Sequence, residues 1–271
     1  MPEEQVAVRP SGRTILITIC GFGAAALVTS ISAMGFGANE QSVRIATVGG
    51  TAILVGSAVA TALCGILAPE RRDRRMWAAI GTALVLTSAG SGVRAWGMIA
   101  GVPFATSVAE ACYGAGLVIL AVTMIVWTAA RRREVPMGLV ISETAALGAF
   151  CAMAFWFTVG QPIIRLAAET GAVPPGQMTL FLAFLVVVAA CALLMLVTAG
   201  NLARRAYVVP WSIVGASVLM LIVGDVAWLS AVAGYGWVPG SLTDFIHISG
   251  HVLIAIGASL ALDGPEGSAA E

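Results

Sequence analysis

Residues 178–200 read MTLFLAFLVVVAACALLMLVTAG, a run without a single charged side chain. A helix rises about 1.5 Å per residue, so about 20 apolar residues cross the roughly 30 Å of bilayer hydrocarbon. Lipid offers backbone N–H and C=O groups no partner, so a crossing chain is either helical or part of a closed barrel. This run is continuous and has none of the period-two alternation of a barrel strand, so it reads as a transmembrane helix.

Seven more segments of the same kind lie around it, at 14–37, 43–68, 76–98, 106–130, 137–160, 209–233 and 244–262. Composition agrees. Of 271 residues, 59% are hydrophobic and 10% charged, with mean hydropathy +0.96, whereas soluble domains carry about 25% charged residues. The fold class expected is therefore an all-α integral membrane protein of eight transmembrane helices. Glycine is abundant at 31 residues, which suits close helix–helix approach in lipid. The run at 14–37 exceeds the 7–15 apolar residues of a secretory signal and is followed by further spans, so it reads as retained.

Charge sets limits on function. Fourteen basic residues balance fourteen acidic ones, so no broad field favours nucleic acid as a partner. Every basic residue is arginine. Without lysine there is no Schiff base for retinal or pyridoxal phosphate, and no lysine of a phosphate-binding loop. Cys20, Cys64, Cys112, Cys151 and Cys191 are scattered among the spans with no C-x-x-C pairing, and read as small buried apolar residues. No nucleophile elbow or Gly-rich phosphate loop is present, so no enzymatic activity is expected.

Arginine placement orients the bundle. Arg9 and Arg13 precede the first span, Arg71, Arg72, Arg74 and Arg75 follow the second, Arg131 to Arg133 follow the fourth, and Arg204 and Arg205 follow the sixth. With alternating spans these share one side, which the positive-inside rule makes cytoplasmic. Both termini are then inside, in a bacterial cytoplasmic membrane. Trp77, Trp127 and Trp211 fall at cytoplasmic ends and Trp96, Trp156, Trp228 and Trp237 near external ends, as interfacial belts.

The chain also repeats itself at half its length. Gly92-Val-Arg-Ala-Trp96 in span three is matched by Gly224-Asp-Val-Ala-Trp228 in span seven. Pro103, Ser107-Val-Ala-Glu110, Tyr113 and Gly116 are matched by Pro239, Ser241-Leu-Thr-Asp244, His247 and Gly250. The expected organisation is a first four-helix repeat over 1–135 (with a short cytoplasmic N-terminus, 1–13), a second over 136–262, and a cytoplasmic tail over 263–271. Four spans return the chain to the same side, so the repeats are parallel, with a natural site between them.

These hairpins, together with the Gln161-Pro162 exit of span five, resemble the eight-span N-terminal membrane region of actinobacterial GGDEF–EAL proteins, the cyclic-di-GMP cyclases and phosphodiesterases. His247 and His251 depart from that pattern, standing where Trp and Tyr are expected. After Asp263 neither a GGDEF nor an EAL motif follows. The resemblance implies a sensory or anchoring module and withholds the catalysis.

Ionisable residues inside spans are costly and mark function by default. By helical rise Asp225 lies about 12 Å below the external end of span seven and His251 about 10 Å down span eight, at comparable depth. His247 and His251, at i and i+4, share one face. With Arg94, Glu110 and Asp244 they form the candidate ligand or proton site of the outer half. Ser107-x-x-Glu110 and Ser241-x-x-Asp244 also read as capping boxes, Arg94 as snorkelling or pairing with Glu110, and Glu143 as meeting Arg131 to Arg133. His247, His251 and Asp225 could hold zinc or iron; apart from that metal no cofactor is expected.

The leading expectation is a sensory or scaffolding module that responds to a small ligand, proton or metal in its outer half and signals to cytoplasmic partners. A small parallel-repeat transporter or channel using Asp225 and a metal-dependent membrane enzyme are the rivals. The partners expected are the lipid bilayer, a cytoplasmic signalling domain or protein, and a second copy of the chain.

Overall fold

The computed structural model describes Gly23 and residues 40–68, 71–100, 105–132, 136–171, 175–200, 205–234 and 242–262. Every regular element among them is helical: α1 (Glu40–Leu67), α2 (Arg71–Ala100), α3 (Ala105–Arg131), α4 (Met137–Phe155), a π-helical turn (Trp156–Gly160), α5 (Gln161–Thr170), α6 (Pro175–Gly200), α7 (Arg205–Gly234) and α8 (Leu242–Leu262). All except α5 are long and apolar enough to cross a membrane. This is a multi-pass membrane protein. Apart from Gly23, the expected span at 14–37 lies outside the described residues, as do the segments 1–13 and 263–271 and the residues Pro103 and Pro239.

Six helices close a ring. α1 packs on α2, α2 on α3, α3 on α6, α6 on α7, α7 on α8, and α8 back on α1. In that order α1 stands opposite α6, α2 opposite α7, and α3 opposite α8. α4 lies outside the ring against α6 with only Val140 buried, and α5 packs on α7.

Small residues permit these crossings. A Cβ on Gly90 would stand 2.7 Å from the Ala109 carbonyl oxygen and 3.1 Å from Tyr113 N, and one on Gly116 would stand 2.7 Å from the Ala83 carbonyl oxygen. The same contacts recur 134 residues further on: Gly224 meets His247, Gly250 meets Ser217 and Leu221, and Gly215 meets Leu196 as Gly81 meets Ala62. The recurrence aligns Gly90 with Gly224. The sequence match of Gly92 with Gly224 is therefore two residues out of step, because the glycine fixed in place is the one at the helix crossing.

One sequence expectation is corrected. Trp77, Trp127 and Trp211 are buried to 1% exposure and form a stack inside the ring, Trp77 on Trp211 at 4.4 Å and 15° and Trp127 against Trp211 at 4.8 Å. They are core rather than a lipid-facing belt: the rings of α2 and α7 meet across the centre, and burial of such large side chains outweighs interfacial anchoring. Trp96 and Trp156 are exposed, as belt residues are. The membrane-length segment Met137–Phe155 ends just before Gln161-Pro162, as the span-five exit requires, but helical structure does not stop there. Pro162 has no N–H to donate, and the backbone absorbs that loss in the π turn just before it, so helix continues to Thr170 and ends at Gly171 with φ 66°.

Arginines fasten the end where the Trp stack lies. Arg74 donates from Nε and Nη2 to the Ala68 carbonyl at 3.3 and 3.2 Å, which closes the α1–α2 turn. Arg131 pairs with Asp73 at 3.0 Å, tying α3 to α2. Arg132 pairs with Glu143, tying α3 to α4 and meeting the expectation for Glu143.

Candidate functional site

At the opposite end of the ring a cavity of about 90 Å³ opens between α1, α2, α3, α7 and α8. Its polar lining comprises Thr47, Arg94, Tyr113, Asp225, Asp244 and His247 among others. Each helix delivers its side chain for a local reason. Gly224 lets α7 approach α8 closely enough for His247 to lie beside Asp225, and Gly90 does the same for Tyr113 across α2 and α3.

The centre of the site is Asp225, 6% exposed. Its two carboxylate oxygens each lie 2.7 Å from the Tyr113 hydroxyl, which donates to them. His247 Nδ1 stands 3.3 Å from Oδ1. A carboxylate only accepts, so the imidazole proton sits on Nδ1 and leaves the Nε2 lone pair free in the neutral ring. Tyr113 and His247 also face each other, with ring centroids 5.8 Å apart. A deep carboxylate is tolerable because donors from α3 and α8 converge on it.

His251 is placed differently from the expectation. Asp225 meets His247, one turn nearer the start of α8, whereas His251 is fully buried below it. His251 Nδ1 faces the His247 carbonyl at 3.2 Å and Nε2 lies 3.0 Å from Thr87 Oγ1. With both nitrogens partnered, the ring has no lone pair turned towards Asp225, and the described residues hold no group of three His, Cys, Asp or Glu side chains arranged for a metal. The set His247, His251 and Asp225 therefore forms a hydrogen-bonded stack rather than a ligand cluster.

Arg94 neither pairs with Glu110 nor reaches outward alone. Its guanidinium carbon lies 4.1 Å over the Trp228 ring, a cation–π contact strengthened by exclusion of water. Glu110 is exposed on α3 and does not line the cavity. α3 starts at Ala105, before Ser107, so Ser107 and Glu110 lie within the helix rather than forming its cap. Asp244 lies in the first turn of α8 and borders the cavity. Thus Arg94, Asp225, Asp244 and His247 come together, and His251 and Glu110 stand apart.

Sequence reasoning passed over Tyr113, Thr47 and Trp228 as site members. Tyr113 was visible as the counterpart of His247 in the repeated hairpin. Thr47 carried no signal, being one of many small polar residues in apolar helices. The cysteines add nothing to the site: Cys64 and Cys191 are buried, Cys112 and Cys151 half-buried, and all four are free thiols.

The fold and site define a multi-pass membrane protein with a polar cavity set among its helices. Comparison with protein-family models, curated proteins and solved structures found no match.

Proposed function

We propose that the chain is a multi-pass sensory module of a bacterial cytoplasmic membrane, receiving a small ligand in the Arg94–Asp225–His247 cavity and passing its state to cytoplasmic signalling partners. The observation that carries this reading is the cavity itself. Five helices line it, and Tyr113, Asp225 and His247 join three of them through one connected set of polar contacts, so occupancy bears on the relative position of the contributing helices. A ligand shifts such an equilibrium only through contacts that differ between two arrangements of the helices, and a site shared among five helices offers those contacts.

Eight spans with both termini inside, built as two parallel four-helix repeats, complete the reading. Its support is the arginine distribution along the sequence and the recurrence of helix contacts at a spacing of 134 residues. On that topology the cavity opens outward and the arginine-fastened end faces the cytoplasm, where a signalling domain, a separate protein or a second copy of the chain docks. The resemblance to the membrane region of cyclic-di-GMP enzymes points to that nucleotide as the output.

The test is cellular. In the native host, Asp225→Asn is expected to change cyclic-di-GMP concentration or its response to external pH and solutes, while Glu143→Gln, at the other end, has the smaller effect. Unchanged nucleotide levels, together with solute uptake by proteoliposomes that Asp225→Asn abolishes, would replace the sensory reading with transport.

A further inference from the structure

The cavity has a surplus of one kind of hydrogen-bonding capacity. Among the described residues no carboxylate lies within ion-pair distance of Arg94, whose one contact of this kind is the Trp228 face. A guanidinium stacked by its face keeps the N–H fork at its edge for a partner in its own plane. Three further polar atoms of cavity-lining residues are buried with no hydrogen bond: Thr47 Oγ1, Trp228 Nε1 and His247 Nε2. Leaving such atoms unpaired is costly, and a native protein that does so in one place has a reason for it.

The two carboxylates of the cavity already have partners. Asp225 receives the Tyr113 hydroxyl on both oxygens and faces His247 Nδ1. Asp244 is partnered and sits where the α8 dipole favours a carboxylate. Apart from His247 Nε2, the unmet groups are of the opposite kind: guanidinium and indole N–H groups can only donate, and a threonine hydroxyl can donate.

We infer that the cavity binds a small oxyanion, a carboxylate or an inorganic oxyanion, on the Arg94 fork, with Trp228 and Thr47 as further donors. The inference rests on the ligand site proposed above and names its chemistry. A volume of about 90 Å³ suits a group of a few heavy atoms, presented either by a free anion or by a lipid headgroup. Asp225 and Tyr113 act as positioning residues, orienting His247 from α7 and α3. Of the charged and titratable groups around that ring, Arg94 belongs to α2, Tyr113 to α3, Asp225 to α7, and Asp244 and His251 to α8 itself.

The experiment uses the purified full chain in uncharged detergent and in phosphatidylcholine nanodiscs, titrated with sulfate and with acetate. Tetramethylammonium is the cation control, calorimetry the readout, and a thermal melt of each variant the check on folding. The expected result is saturable binding of at least one anion, weakened tenfold or more by Arg94→Gln, less by Arg94→Lys and severalfold by Thr47→Val, with Glu143→Gln unchanged. Loss of anion binding only in nanodiscs containing phosphatidylglycerol supports the same chemistry with a headgroup as its source. No anion binding to folded protein, equal affinity in folded Arg94→Gln, or preference for tetramethylammonium overturns it. Anion binding without any cyclic-di-GMP response would leave the ligand class standing and remove the sensory reading; the reverse pattern would do the opposite.

Discussion

A carboxylate such as Asp225, taken out of water among apolar helices, survives only where donors reach it, and here they come from two other helices. The Tyr113 hydroxyl is the shorter contact and is itself buried. Hydrogen bonds to charged groups contribute about 1.5–3 kcal/mol, so Tyr113→Phe should lower stability by about 2 kcal/mol, read as a fall in the melting temperature of the detergent-solubilised protein. Asp225→Asn keeps the shape and an acceptor oxygen and should cost less than Tyr113→Phe. If Tyr113→Phe melts like the wild type, the carboxylate is satisfied by other means. Asp225, Arg94 and His247 were legible in the sequence because an ionisable group stands out in an apolar run. Tyr113, Thr47 and Trp228 were not, because such residues are ordinary in membrane helices and only their neighbours make them part of a site.

At the scale of the element, glycine does two unlike jobs that the sequence writes with the same letter. Gly116 sits where a Cβ would meet the Ala83 carbonyl oxygen at 2.7 Å, a backbone atom that cannot step aside. Gly114, two residues earlier on α3, has nothing within 4 Å of its Cβ position. Gly116→Ala should therefore destabilise by about 1–3 kcal/mol through overpacking, whereas Gly114→Ala should be neutral or stabilise by up to about 1 kcal/mol through helix propensity. Parallel thermal melts of the two variants check this, and equal behaviour would mean that α2 and α3 are not in contact at Gly116. The end of span five follows the same logic: Gln161-Pro162 looks like a boundary in sequence, yet the π turn lets the helix continue.

At the scale of the whole molecule the two ends are built for different work. One carries the stacked Trp77, Trp127 and Trp211 with the pairs Asp73–Arg131 and Arg132–Glu143, and the other carries the cavity. The proposed topology fixes which end faces inward: reporter fusions after Arg132 should be active only in the cytoplasm and fusions after Gly171 only outside. The opposite pattern would invert the orientation and place the cavity on the cytoplasmic side. In an experimental structure in lipid, residues 76–128 should superpose on 210–262 by rotation about the membrane normal, carrying Trp77 onto Trp211.

What the sequence determined by itself was the solvent and the secondary structure. Runs of 20 or more apolar residues have one stable backbone solution in hydrocarbon, since every N–H must find its acceptor within the segment. It also exposed the expensive residues, because an ionised side chain among such runs has no inconspicuous explanation. Only tertiary structure decided which of them meet. A shift of one turn, about 5.4 Å, separates a pairing of Asp225 with His251 from the observed pairing with His247. That shift is set by where Gly224 lets α7 close on α8, a contact between neighbouring helices whose register only the packing fixes. The burial of Trp77, Trp127 and Trp211 was decided in the same way. Their height in the membrane was legible from the chain, but whether they face lipid or one another depends on the ring of helices closing around them.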